Sequence, residues 1–508
     1  MAGFGRLKGA GNRFPKSDRE TSRSMLRAST LPDRLASSVR GDRILTFIAA
    51  LCLIQALVLS VIRTGTSYDG AEQLLYTQSL EWGYGRSQPP LYTWLLIAVQ
   101  QVFGVTQLAE NLLKFSLLFA FCFLMWRIAI RLGLRRTAAG VVAISPFLVY
   151  EIAWEVQRNY SHSVLLLALT AAFALCYLRT LAKPDVGHYA LMGLVLGLMA
   201  LTKYNGVLFV GALVAADLAT MRRDGVFWSA KAVLIPAIAA ILVAPHAVWA
   251  LNHASHVLAL VDRFKIAETG GRLAGLGRGL LSYVMACLAI LGLPALVMFF
   301  SGGWATIRGE LRGVTRVFAC WAMLSLAFGL VLVFATGTTH VNVRWMLPVV
   351  VAALPILCGL VADTIPRAAR NFTLVAVSMA VIASVGQWIE SWPSARKSYN
   401  YRELSREVQQ ATGASELLIN DYAVLANLRL YAPETRVLHP IMPAAASFPL
   451  KKPVMVWTDD DDGAGDVHEF ARALGVCPAE PAPRGFTLRS RGGKELNVHY
   501  QALKTTCP

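Results

Sequence analysis

Two acidic residues, Asp69 and Glu72, stand in the stretch Tyr68-Asp69-Gly70-Ala71-Glu72, just past an apolar run, Ile44–Ile62, long enough to cross a bilayer. A carboxylate at the bilayer edge, flanked by apolar bulk, is a usable general base. The same spacing also fits a plain helix start, with Asp69 as the N-cap and Glu72 three residues on in a capping box. Further along, Arg86 precedes Gln88-Pro89-Pro90. The proline pair blocks helix before Leu91. Arg86 either snorkels to lipid headgroups or binds a phosphate close to Asp69.

A second group lies in "PFLVYEIAWEVQRNYSHSVLLL". Glu151 and Glu155 are one helical turn apart, and Arg158 and His162 repeat the spacing. His162 opens an apolar helix, and an ionisable residue at that depth is a functional candidate; a surface salt-bridge network is the alternative. "ALTKYNG" brings Lys203, and "TGTTHVNVRWMLP" brings His340 and Arg344. A His and an Arg beside an apolar groove suit an anionic lipid headgroup. His253 and His256 are spaced for a metal but lack a matching Glu motif, so a divalent metal stays open as cofactor and none is assigned. The Asp459–Asp462 run reads as a solvated acidic turn. No Gly-rich phosphate loop, Walker lysine or dinucleotide fingerprint is present. A substrate activated in advance and delivered through the lipid fits better than a soluble nucleotide.

The elements that must hold these residues are membrane helices. The chain has 508 residues, 55% hydrophobic and 16% charged, where a soluble protein carries about a quarter charged. Apolar runs fall at 44–62, 108–126, 138–153, 160–180, 188–202, 204–219, 229–250, 277–300, 316–335, 346–363 and 372–390. The fold class is therefore an all-α polytopic membrane protein of about eleven to thirteen spans. The net charge of +17 sits in the N-terminal segment and in alternate loops (Arg127–Arg136, Arg179 and Lys183, Arg222 and Arg223, Arg308–Arg316, Arg367 and Arg370). Those loops are cytoplasmic if the N-terminus is, and nucleic acid has no basic-aromatic domain to occupy. Counting Pro89–Gly104 as a crossing would put Arg127–Arg136 outside. Leu91–Phe103 is therefore read as an interfacial or re-entrant helix within one outer loop, 63–107.

Three regions follow. Residues 1–43 form a basic, disordered cytoplasmic segment ahead of a signal anchor, 44–390 the transmembrane catalytic unit, and 391–508 a small outer α/β domain. In the last, Tyr401–Gln410 and Val467–Leu474 read as helices, Val454–Thr458 as a strand and Leu417–Ile419 as a short apolar run. Its two cysteines, Cys477 and Cys507, suit a disulfide if the tail faces an oxidising compartment.

The acidic motif Tyr68–Glu72 followed by Pro89-Pro90-Leu91, the "LTKYNG" at Leu201–Gly206 and the "HVNVRWMLP" at His340–Pro348 together resemble the GT-C glycosyltransferases of the dolichyl-phosphate-mannose protein mannosyltransferase-like superfamily. Within it, the chain is similar to bacterial aminoarabinose transferases of lipid A and galacturonosyl transferases of lipopolysaccharide. The resemblance implies a GT-C fold in the bacterial inner membrane, with the active site facing the periplasm. It implies a polyprenyl-phosphate-sugar donor and a lipopolysaccharide core or lipid A acceptor, with membrane lipids around a monomer. It makes Asp69 the expected base, with Glu72 beside it, and an inverting transfer. Arg86, Lys203, His340 and Arg344 become candidates for the donor phosphate, and Glu151, Glu155, Arg158 and His162 for the acceptor or a secondary role. The sequence departs from the family pattern at Gly70, where relatives carry Glu, at Gln88, where many carry His or Lys, and at His162, where many carry Asp. A lipid-linked sugar transporter or flippase is the alternative, but no paired broken helices mark its two halves.

Overall fold

The computed structural model describes residues 31–85, 89–254, 272–459, 464–479, 482–505 and 507. The first helix, α1 (Leu31–Ile62), starts well before the apolar run. Pro32 suits its first turn, and no other proline interrupts it, so the end of the basic segment read as disordered is helical from Leu31. After α1 come the short α2 (Tyr68–Tyr76) and α3 (Leu91–Phe103). Thirteen residues give α3 a length of about 20 Å, short of the ~30 Å hydrocarbon core.

Every apolar run read from the sequence coincides with a helix, though fewer than the expected eleven to thirteen have the length of a span. Among the described residues, seven pass the length and hydropathy needed to cross a membrane: Arg43–Ile62 within α1, α4 (Gln107–Arg131), α7 (His162–Ala182), Ala230–Asn252, Ala274–Phe300, Val314–Thr336 and Pro366–Ser391. A bent pair, α5 (Arg136–Leu148) and α6 (Glu151–Arg158), kinked by 76°, meets the same test only when its two pieces are taken together. Pro146 and a wide π-type turn at Glu151–Glu155 account for the bend. Shorter apolar helices, α8 (Val186–Ala200), α9 (Gly206–Thr220) and Val349–Thr364, complete the bundle.

Lipid, like the bundle interior, is apolar, so close packing and polar pairing must hold the spans together. The last span buries Phe372, Ala376, Ala380 and Ser384 at four-residue spacing, letting neighbours approach. Gln55 of α1 donates to Gln157 of α6 and accepts from Trp388 of the last span. Large side chains such as Leu57, Ile241, Leu251, Leu281 and Phe299 face outward. At one end the basic loops meet: Arg135 pairs with Asp363 at 3.2 Å, and Lys231 donates to the Pro184 carbonyl at 3.0 Å. The candidate residues gather at the other end.

Beyond Pro366–Ser391 the chain builds a mixed six-stranded sheet. β1 (Glu416–Ile419) pairs in parallel with β2 (Arg436–Leu438) and β3 (Pro453–Thr458). The long β6 (Glu495–Lys504) then runs antiparallel to β3, to β5 (Arg484–Arg489) and to the short β4 (Cys477–Pro478). Two flanking helices, Tyr401–Thr412 and Ala464–Ala473, lie where the sequence placed them, as does β3; the apolar run Leu417–Ile419 forms β1, and the β5–β6 hairpin is new. Cys477 and Cys507 form a disulfide with Cα atoms 5.7 Å apart. The core of this domain is not made by the tail alone. Ala71, Leu74, Leu75 and Tyr76 of α2 bury themselves in it beside Leu417, Val456 and Tyr500.

Candidate active site

Ser67, with extended backbone, is the N-cap of α2, and Asp69 lies inside the first turn. The capping-box reading of Asp69 and Glu72 therefore does not hold. One Asp69 oxygen accepts from the backbone N–H (3.3 Å) and hydroxyl (3.4 Å) of Ser161. The other faces Nη1 of Arg344 at 3.8 Å. The side chains of Asp69 and Arg344 are 24% and 28% exposed, open enough for a hydroxyl to reach yet screened from bulk solvent. Glu72 is buried on the same helix and accepts from the Tyr76 hydroxyl at 3.1 Å.

Nine residues of helix cannot hold a carboxylate in place unaided, and three contacts fix α2. Its apolar face is docked on the sheet domain. Arg429 donates to the Leu74 carbonyl at 2.5 Å and to the Thr77 hydroxyl at 2.7 Å, a cation at the helix C-terminus where the dipole favours one. Burial pushes this guanidinium down to about 10, so it stays charged. Before the helix, the Thr66 N–H donates to Asn427 at 2.6 Å, and the Thr66 hydroxyl donates to Glu110 of α4 at 2.6 Å. A Cβ on Gly70 would lie 2.0 Å from the Thr66 hydroxyl and 2.5 Å from a Glu110 oxygen. Glycine follows Asp69 because Glu110, paired with Lys114 at 3.3 Å, closes on the helix there.

Facing Asp69 is the turn between α6 and α7. Ser161 Oγ lies 3.0 Å from Nδ1 of the buried His162, whose ring rests on Tyr92 with centroids 5.2 Å apart. The Tyr160 hydroxyl donates to Glu151 at 2.5 Å. Burial first, and the Glu151 carboxylate second, push that hydroxyl upward, so it remains a donor. Arg344 lies over the Tyr160 ring, 5.8 Å from its centroid. It sits in a short turn, Val343–Trp345, opened by Asn342, whose side chain accepts the Arg344 N–H. Its Nε is buried with no hydrogen-bond partner among the described residues. Lys203 Nζ donates to Ser163 at 3.1 Å, and Asn205 donates to the Trp345 carbonyl at 3.0 Å. Asp69, Ser161–Ser163, Lys203 and Arg344 thus form one continuous polar surface between the bundle end and the sheet domain.

Residues 87–249, which include His162 and Lys203, match the family model described as dolichyl-phosphate-mannose-protein mannosyltransferase. The chain is 28% identical over 419 residues to the lipopolysaccharide core galacturonosyltransferase RgtA of Rhizobium johnstonii, covering 78% of this chain and 82% of that one. It is 26% identical over 410 residues to RgtB of the same organism, named for the same activity, with equal coverage. Its fold matches ArnT from Cupriavidus metallidurans, solved bound to undecaprenyl phosphate, over 91% of this chain and 99% of that one, with a TM-score of 0.62 at 12% identity. The chain is a GT-C-type membrane glycosyltransferase.

The glycosyltransferase does not gather every residue expected from its sequence. Glu155 and Arg158 belong to a second cluster, in which Arg158 lies 3.2 Å from Glu155 and 3.8 Å from Glu390, and Glu390 pairs with Lys397 at 2.6 Å. His340 is exposed, its backbone carbonyl accepting from Thr338. Arg86, Gln88, His256 and Asp460–Asp462 lie outside the described residues. Asp459 meets His499 at 2.9 Å. His253 stacks on Trp249 at 4.5 Å. Among the described residues no three His, Cys, Asp or Glu side chains converge as a metal would need. Sequence reasoning missed Ser161, Tyr160, Glu110 and Arg429. The Glu110–Lys114 pair carried a usable signal, two opposite charges four residues apart at the head of an apolar run.

Proposed function

We propose that this glycosyltransferase moves a galacturonosyl group from a polyprenyl-phosphate donor to the lipopolysaccharide core, on the periplasmic side of the bacterial inner membrane. The observation that carries the reading is the Asp69 carboxylate held against Arg344, with Lys203 on the same surface, at the edge of the apolar bundle. The names of RgtA and RgtB support the sugar and the acceptor, and the ligand of ArnT supports the donor. The Cys477–Cys507 pair supports an oxidising compartment for the tail.

In this reading Asp69 takes the proton of an acceptor hydroxyl as its oxygen attacks the anomeric carbon. The bond from that carbon to the phosphate oxygen breaks through an oxocarbenium-like transition state, and polyprenyl phosphate leaves with the electron pair. A single displacement inverts the anomeric centre. A galacturonosyl donor carries two anionic groups, phosphate and carboxylate, and among the described residues the surface offers Arg344 and Lys203 to meet them. Arg344, with a buried Nε still available to donate, takes the phosphate; Lys203 takes the sugar carboxylate. Arg344 leaves Asp69 for the phosphate when the donor arrives, which frees the carboxylate to act as base. Glu72, Glu151 and His162 shape the acceptor side.

The test is a transfer assay in membranes with radiolabelled polyprenyl-phosphate sugars, followed by mild acid hydrolysis to separate core from lipid A. Label in the core together with released polyprenyl phosphate is expected from the galacturonosyl donor. Label only in lipid A, or transfer of a neutral sugar alone, would overturn the assignment of acceptor or sugar.

A further inference from the structure

A crevice of about 590 Å³ opens at the site-bearing end of the bundle, between the ends of α1 and α4 and the sheet domain. Its apolar edge is Val61, on the last turn of α1, and Leu108, on the first turn of α4. Its polar edge carries Arg402, Arg406 and Arg491, against one carboxylate, Glu403. Arg402 and Arg406 are four residues apart on helix Tyr401–Thr412 and share a face. Among the described residues none of the three arginines makes an ion pair. Arg402 lies over Tyr431, while Arg491 lies over Trp392 and donates to the Ile62 carbonyl at 2.7 Å.

Two more features mark the crevice as a place for negative charge. Helix α4, 25 residues long, begins on it with Gln107, so its positive end is directed there. The Gln107 Nε2, also part of the lining, is buried and has no hydrogen-bond partner among the described residues. A solvated cationic face does not call for a buried, unpaired amide donor in its lining. The position at the head of two spans, with the exposed Trp392 at the rim, sets the crevice at headgroup depth.

We propose that this crevice binds the headgroup of an anionic phospholipid from the adjacent leaflet, its phosphodiester between Arg402, Arg406 and the Gln107 amide. The acyl chains run down past Val61 and Leu108. The site is separate from the Asp69 surface. It clamps the sheet domain to the bundle through a lipid, where Arg491 already ties the two together directly.

The proposal is tested without donor or acceptor, so its outcome is independent of the transfer reaction. Full-length protein is delipidated, reconstituted in mixed micelles holding equal phosphatidylglycerol and phosphatidylethanolamine, and its retained lipid is quantified by mass. Wild type is expected to keep phosphatidylglycerol selectively. The double variant Arg402→Gln/Arg406→Gln is expected to lose about 30-fold in affinity while its melting temperature in lipid-free detergent stays unchanged. Gln107→Leu, which removes the amide without changing charge, is expected to weaken retention by a smaller factor. Equal retention by wild type and double variant, or no preference between the two lipids, overturns the proposal. So does stoichiometric displacement of phosphatidylglycerol by purified lipopolysaccharide, which would give the crevice to the acceptor.

Discussion

The bundle and the sheet domain keep opposite surfaces. In the bundle, Leu251 and Phe299 point outward and the polar Gln55, Gln157 and Trp388 pair inside. In the sheet domain, Leu404 and Val408 of one helix turn inward while Arg402, Glu403 and Arg406 are exposed. Helix α2 belongs to both. By chain order it is part of the first loop of the bundle, yet its apolar face completes the core of the tail. Its acidic face meets Ser161 and Arg344 of the bundle. Asp69, the base in the proposed reaction, is therefore positioned at the seam between the two.

That division can be broken from either side. The largest effect after loss of the base itself is expected on the bundle side. Arg344→Ala should lower turnover roughly 100- to 1,000-fold, as losing a preorganised donor to a developing anion does. Arg344→Lys should restore little, because a point charge does not replace a planar fork. Initial rates in membranes at matched expression would show this.

Gly70→Ala comes next. The new methyl meets Thr66 and Glu110 at far less than contact distance, so α2 must shift off α4. A fall in turnover of tenfold or more, from roughly 1–3 kcal/mol of strain, is expected, with donor KM little altered. Arg429→Met acts from the tail side. It leaves the Leu74 carbonyl and the Thr77 hydroxyl buried without their donor and should cost about 1–3 kcal/mol of stability. Thermal unfolding in detergent measures that loss, and a parallel drop in turnover would tie the tail to the position of Asp69.

The smallest effect is on pH dependence. Burial, then the charge of Arg63, push Lys397 down to about 7 even with Glu390 at 2.6 Å. Its folded value lies below the ordinary lysine value of ~10.4. Between about pH 7 and ~10 the unfolded chain therefore holds a proton that the folded chain does not, and stability rises with pH across that window. Below pH 7 both states hold it and the contribution is at its minimum. Melting temperatures at pH 6.5 and 9 should differ in wild type and converge in Lys397→Met.

Much of this was legible in the residues themselves. The apolar helices follow from run length, which depends on no tertiary contact. Lys203, His162 and Arg344 stood out because ionisable groups at span ends are costly to place. Asp69 stood out too, but its alternative as a cap could not be dismissed until Ser67 was seen to hold that position. Glu110 and Arg429 escaped because their roles come from contacts far along the chain, Arg429 reaching back to Leu74 and Thr77. The β5–β6 hairpin escaped although β6 alternates from Glu495 to Tyr500, because β5 alternates weakly, with Arg484 and Arg489 exposed and only Leu488 fully buried. The Gly492-Gly493 turn was its other local mark.

The most direct test of the account is Asp69→Asn, which keeps shape and removes the base. Donor binding and single-turnover transfer should be measured on the same purified protein. The account predicts donor affinity within about threefold of wild type and transfer reduced roughly 100- to 10,000-fold. Transfer within threefold of wild type would contradict it and move the base to another carboxylate at the seam.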